Sequence, residues 1–292
     1  MGYGSYSASD WAKLKNSRQL SGNQRVEEVF TRKSCDPKYD PKFIGTRECF
    51  DSEDHPNSTP IVVGLDVTGS MGYLAVKVAT GALNELITKL YSTGAVEDPA
   101  LMCAAYGDIL DVSPLQVTQF ESDIRIAQQL LDIYFENEGN GEVVPTCLWE
   151  FLACHTNIDA VNKRHEKGFV FTIGDDARIR ENNVDQTIAR VIGDTTSYGT
   201  REAALSDVQQ KFHVFHIMIG RRNTSNDSLL PGHTVNISRD EIDNIPEIII
   251  STIQMQKGKK LDEVLEQWEE LKRPSIRAAL SQIAIVEGGL SL

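Results

Sequence analysis

The sequence predicts an α/β fold: a doubly wound, mostly parallel sheet with helices on both faces. Three observations carry that expectation. From Pro60 onward, short apolar runs alternate with amphipathic stretches at helical spacing. The runs at 61–65 and 168–174 are apolar enough to be strands buried on both faces. Both lead into acidic residues, Asp66 and then Asp175 and Asp176, as strand ends facing a ligand crevice do.

Residues 61–65 read as the first buried strand. Ala75, Ala79, Ala82, Leu83, Leu86 and Leu90 then recur at helical spacing until Gly94 supplies a C-terminal stop. Residues 101–106 and 115–120 are the second and third strands. Ser122 is placed to cap a helix with apolar face Ile124, Ala127, Leu130, Leu131 and Tyr134. A polar glycine loop at 136–142 leads to Pro145 and Thr146 at the head of the next helix. After the strand at 168–174, residues 200–212 read as a helix and 213–219 as a strand. Ser238 and Glu241 form a capping box that opens a helical stretch running past Pro246 to about Met255. Leu261, Val264, Leu265, Trp268 and Leu271 keep helical spacing, and Pro274 restarts a short helix ending near Ile285.

The expected organisation is an N-terminal arm at 1–58, a main domain at 59–256 and a C-terminal helical extension at 257–292. The arm is rich in Gly, Ser, Asp and Pro, with a short helix expected around 9–15, and cannot build its own core. Its aromatics Tyr3, Tyr6, Trp11, Phe30, Phe43 and Phe50 favour a strap lying on the main domain. The arm holds nine basic and nine acidic residues. Of the chain's 29 and 42, that leaves 20 basic and 33 acidic residues beyond it, so the main domain carries the whole net charge of −13. Such a field disfavours a nucleic-acid phosphate surface and favours cations or basic protein surfaces. Five cysteines, odd in number and without C-x-x-C spacing, read as reduced thiols. Without a signal-peptide pattern or a long apolar run, the expected location is cytoplasmic.

Asp66, Thr68 and Ser70 carry the chemistry. The alternation Asp-x-Thr-x-Ser after a strand aims one carboxylate and two hydroxyls at a common point. Such hard oxygen donors suit Mg2+, with Mn2+ or Ca2+ as alternatives. The same residue types also suit a helix N-cap, where they satisfy free backbone N–H groups.

Two enzyme readings compete. The glycine spacing of 64–70 resembles a phosphate-binding P-loop, and 169–176 the acidic strand that would hold its magnesium. However, Met71 and Gly72 stand where the required Lys belongs. A haloacid-dehalogenase-type phosphatase needs Asp-x-Asp, and here the second position is Thr68, which cannot exchange a proton near neutral pH. The expectation is therefore binding rather than turnover, with a Mg-dependent phosphohydrolase or NTPase-like enzyme as the alternative. The six histidines form no ligand or triad pattern, and Cys154 with His155 reads as helix packing.

The run 61–72 resembles the first motif of a von Willebrand factor A-type domain, whose metal-ion-dependent adhesion site uses Asp-x-Ser/Thr-x-Ser after the first strand. The resemblance covers roughly residues 60–255 and extends, through 51–58 and the segment 106–108 with Asp111 close by, to bacterial and phage-borne members. It implies a metal set of Asp66, Thr68, Ser70, Thr146 and Asp175, with Glu142 an alternative to Thr146. Asp176 and Asp108 are expected as capping, turn or outer residues. In that family the ion's open position is filled by an Asp or Glu of a partner protein. Bacterial members often act as adaptors beside AAA+ ATPases of the MoxR type, which makes such an ATPase the expected partner.

Overall fold

The computed structural model describes residues 4–136, 143–175, 183–220 and 230–284. Its strands are β1 (Arg47–Cys49), β2 (Ser58–Asp66), β3 (Asp98–Tyr106), β4 (Leu115–Val117), β5 (Thr156–Ile158), β6 (Gly168–Gly174), β7 (Phe212–Ile219) and β8 (Thr234–Ile237). The main sheet has the order β4-β3-β2-β6-β7-β8, parallel throughout except for the antiparallel edge pair β3–β4. The chain moves from β2 outward to β3 and β4, then returns to the other side of β2 with β6. The order therefore reverses at β2, which is where open α/β sheets place their crevice.

The helices are α1 (Ala8–Ser17), α2 (Val26–Val29), α3 (Gly72–Lys77), α4 (Leu83–Thr93), α5 (Arg125–Leu131), α6 (Pro145–Cys154), α7 (Asp159–Arg164), α8 (Val184–Val191), α9 (Arg201–Val208), α10 (Ile245–Gln256), α11 (Leu261–Glu266) and α12 (Arg273–Leu280). A π-helical turn, Val78–Ala82, joins α3 to α4, and Gly94 ends α4 in the left-handed region at φ 59°, where glycine costs nothing.

Every residue of β2 is buried, and period-two alternation sends its side chains to two different cores. Ile61, Val63 and Leu65 join the cluster built with α3, α4, α10, α11 and α12. Val62 joins the one built with α6, α8 and α9. Gly64 lets α6 approach closely: a Cβ there would stand 2.8 Å from Leu148 Cδ2. Each fully buried Leu, Ile or Phe contributes about 1.5–3 kcal/mol, so the two apolar layers, rather than any one contact, fix β2 at the centre.

The arm lies across both layers. Tyr6, Trp11, Leu14 and Phe30 are buried in the first core, while Ile44 and Cys49 enter the second. β1 pairs in parallel with β5, and Arg164 ties the arm to β2 through an ion pair with Asp51 and a 2.7 Å hydrogen bond to Ser58 O. Phe43 does not join it; this last residue of the 3₁₀ turn Pro41–Phe43 is 72% exposed. Tyr3 lies outside the described residues.

Several local expectations change. The third strand stops at Val117, because Thr118 turns back onto Cys103 through both its N–H and its Oγ1. Ser122 is not the N-cap of α5, which is Ile124. Its hydroxyl reaches Gly4 O and His55 Nε2, and Asp123 Oδ1 receives the Arg125 N–H that opens α5. Tyr134 lies beyond that helix, where Gln116 bonds both its backbone groups. α9 ends at Val208, four residues before the expected limit. Leu271 is 93% exposed because the helix ends at Glu266; the stripe is completed by Trp268, whose Nε1 donates to Ser251 Oγ. Ile285 lies outside the described residues. β5, α2, α7, α8 and β8 were not expected, although Val184, Ile188 and Val191 of α8 recur at helical spacing. Among the described residues no helix is long and apolar enough to cross a membrane.

Candidate metal centre

Asp66 is the last residue of β2, and it bends the chain around its own carboxylate. Its Oδ1 accepts the Thr68 N–H at 2.8 Å and the Thr68 hydroxyl at 2.6 Å. This Asx turn points the hydroxyl back at the strand end instead of forward to the helix. Thr68 leads into a 3₁₀ turn, Gly69–Met71, without any side-chain capping bond, and Met71 at the entry to α3 makes none either. Ser70 Oγ lies 3.4 Å from Thr68 Oγ1 and donates to Asp175 Oδ1 at 2.8 Å. Neither hydroxyl is spent on a helix cap, which removes the blander account of these residue types.

Asp175 follows β6, the parallel neighbour of β2. The register Leu65↔Ile173 places the two strand ends at one level, so their acids share an edge of the sheet. Gly174 makes the approach possible: a Cβ there would stand 3.1 Å from Asp66 Cβ, Asp66 Oδ2 and Tyr106 Oη. Asp66 is 1% and Asp175 5% exposed. Tyr106, opposite Asp66 on β3, feels both acids; burial first, then the Asp66 and Asp175 carboxylates, drives its phenol well above the usual tyrosine range. The described cationic group beside Asp175 is Arg239, 3.5 Å from Oδ2 on a 62% exposed side chain. An ion pair so exposed contributes at most about 1 kcal/mol. Arg239 follows β8, an element the sequence did not signal.

Thr146 is the second residue of α6. The helix entry is pinned next to the strand ends: Val67 N donates to Tyr106 O, and Val144 N donates to Gly107 O. Thr146 is fully buried, and among the described residues its Oγ1 has no hydrogen-bond partner. Other buried helical threonines avoid this; Thr80 and Thr252 each donate to the carbonyl four residues back at 2.7 Å. An unpaired buried hydroxyl costs about 1–3 kcal/mol, so its donor-free oxygen stands out. The geometry thus joins Asp66, Thr68, Ser70 and Asp175 in one chain of hydrogen bonds and leaves Thr146 outside that chain. Glu142 and Asp176 lie outside the described residues. Asp108 acts in a turn, with Oδ1 accepting Leu110 N and its own N–H donated to Asp111 Oδ2.

No protein-family model and no curated protein matches the chain. Solved structures do show likeness. The pilus adhesin SpaC from Lactobacillus rhamnosus GG aligns over 70% of this chain at 12% identity and a TM-score of 0.46. Proximal thread matrix protein 1 from the mussel byssus, solved with a zinc-occupied MIDAS motif, aligns over 72% at 11% identity and 0.44. BatB from Bacteroides thetaiotaomicron aligns over 69% at 12% identity and 0.43. The alignment spans 31% of the adhesin and 50% of the matrix protein, but all of BatB. At such scores these remain likenesses, and the centre is read from its own geometry.

Proposed function

We propose that the chain is a metal-dependent protein-interaction module of the von Willebrand factor A type, with Asp66, Thr68, Ser70, Thr146 and Asp175 holding a Mg2+-type ion. The observation that carries this reading is the pairing of two buried carboxylates, each holding a hydroxyl that a helix cap would otherwise use, with the partnerless hydroxyl of Thr146. Two buried carboxylates at one edge of the sheet, with hydroxyl oxygens beside them, form the hard oxygen donor set that such a cation takes.

When bound, such an ion supplies a coordination position that a partner's Asp or Glu completes, which selects for an acid presented at one height. The protein's own residues do the rest. Asp66 and Asp175 provide charge, Thr68, Ser70 and Thr146 provide neutral oxygens, and Gly174 keeps the two strand ends close. Ser70 is exposed, so the cluster is open to solvent on its side.

Apolar side chains beyond the same strand ends, on α3 and on the loop after β3, suit a protein partner: Tyr73 is 56%, Leu110 73% and Val112 86% exposed. The resemblance to bacterial adaptors makes a MoxR-type AAA+ ATPase the partner to test first. Affinity capture with the full chain, in Mg2+ and in EDTA, tests the reading. Retention of the ATPase or another partner only in Mg2+, and its loss from Asp66→Ala with Ser70→Ala, is the expected result. Capture that ignores both chelator and substitutions would overturn it.

A further inference from the structure

One turn along α6 from Thr146, Glu150 and Cys154 stand four residues apart on one helix face, opposite Asp207 of α9. One ligand atom from each lies within 4.8 Å of the other two. Glu150 is only 2% exposed and its Oε2 accepts no hydrogen bond among the described residues, although the Cys154 thiol and the Tyr198 hydroxyl lie against its carboxylate. A carboxylate oxygen buried without a donor costs about 1–3 kcal/mol unless something cationic meets it. Tyr198 Oη donates to Asp207 Oδ2 at 2.7 Å and so orients that carboxylate. Cys154 is exposed at the rim, which leaves an entry path. His155 belongs elsewhere, with Nε2 2.6 Å from Asp194 Oδ2 and Nδ1 2.9 Å from Gly45 O.

We propose that Glu150, Cys154 and Asp207 form a second metal site, selective for zinc-type ions over magnesium, that ties α6 to α9. A thiolate with two carboxylates is a borderline donor set, which suits Zn2+ and not Mg2+. Bond lengths of about 2.0–2.3 Å bring tetrahedral ligand atoms to about 3.3–3.8 Å from one another, a small closure from the observed spacing. The fourth position is left to water. Binding the metal through a thiolate releases the thiol's proton to solvent. Because α6 also presents Thr146, such a clamp would steady that helix from its far end. The sequence had suggested only packing for Cys154, since Asp207 is 53 residues away and on another helix.

Cobalt titration of the chelator-treated full chain tests this, because a thiolate ligand gives a near-ultraviolet charge-transfer band that oxygen ligands do not. The expected result is a band saturating at one equivalent and displaced by Zn2+. Cys154→Ser should abolish it, Asp207→Asn should weaken Co2+ binding at least tenfold, and Asp66→Ala should leave it intact. Cys154 is exposed, so its serine variant is expected to fold; circular dichroism checks both variants, and Asp207→Asn decides if Cys154→Ser does not fold. A folded wild-type chain without the band, or a band that survives Cys154→Ser, would overturn the proposal. The oxygen-only strand-end centre is untouched by either outcome.

Discussion

Ser70 Oγ donates to Asp175 Oδ1 at 2.8 Å across 105 residues of chain, joining the turn after β2 to the end of β6. Thr68 Oγ1 holds Asp66 in the same way at 2.6 Å. Two acids brought together by hydroxyls, with Arg239 the cationic group beside one of them among the described residues, place two like charges at one edge of the sheet. That placement sets the sign of the first prediction.

Asp175→Asn keeps an acceptor for Ser70 while removing one buried charge. In EDTA its melting temperature should equal or exceed that of the wild-type chain, because like charges no longer share the site. The rise on adding Mg2+ should disappear. A thermal melt with and without Mg2+ checks both, and a wild-type response in the variant would contradict the ligand assignment.

Gly174→Ala adds a methyl 3.1 Å from Asp66 Cβ and Oδ2, so Asp66 must give way by a few tenths of an ångström. Divalent-ion affinity should fall roughly tenfold, as it does when the support of a ligand is disturbed. Stability in EDTA should change far less than for Gly168→Ala, whose methyl meets Pro60 O at 2.7 Å and Phe212 Cδ1 at 2.8 Å. Calorimetric titration of Mg2+ and urea melts separate the two effects.

Glu247 of α10 is 1% exposed and accepts Lys89 Nζ at 2.7 Å and Lys272 Nζ at 2.6 Å. Burial pushes its carboxyl up, but the hydrogen bonds from Lys272 and Lys89 outweigh that and hold it below the usual glutamate range. A depressed folded value contributes stability that is present above about pH 4.3 and lost as pH falls through the folded value. Glu247→Gln should flatten this acid limb in melts from about pH 6 to 3. Glu247→Ala, which leaves Lys272 without its carboxylate and Lys89 with Glu85 at 3.6 Å, should cost about 3 kcal/mol at neutral pH.

His155 bridges Gly45 of the arm and Asp194 after α8. Burial lowers its affinity for a proton, yet the Gly45 carbonyl and the Asp194 carboxylate raise it above the ordinary histidine value. A raised folded value contributes fully below about pH 6.5 and is lost as pH rises through the folded value. Amide exchange of residues 44–49 should therefore accelerate at alkaline pH in the wild-type chain, beyond the intrinsic rate, and lose that extra dependence in Asp194→Asn.

The sheet's centre was legible because β2 and β6 are buried on both faces, so their sequences are apolar throughout and end in acids. The helix after β2 was legible because its small and large apolar residues keep one face. β8 was not: Thr234 and Asn236 alternate with Val235 and Ile237 over four residues, too short a run to separate from a loop. Ser122 misled because a serine before an apolar helical pattern looks the same whether it caps that helix or bonds a distant arm. The strand-end acids could be read as neighbours from chain order, since parallel strands end at one edge. Arg239 and the Glu150–Cys154–Asp207 cluster could not, because they depend on which loops and helix faces meet across the sheet. Thr146 stood at the head of a helix in the sequence; its lack of a hydrogen-bond partner is a property of packing alone.

Thr146→Val tests the central claim most directly, because it replaces the orphan hydroxyl with a methyl of the same shape. In EDTA the variant should be as stable as the wild-type chain or more so, by about 1 kcal/mol, since a buried unpaired hydroxyl is gone. In Mg2+ it should gain little or no melting temperature where the wild-type chain gains measurably. A variant that loses stability in EDTA yet keeps the full Mg2+ response would show that Thr146 serves packing and not the ion.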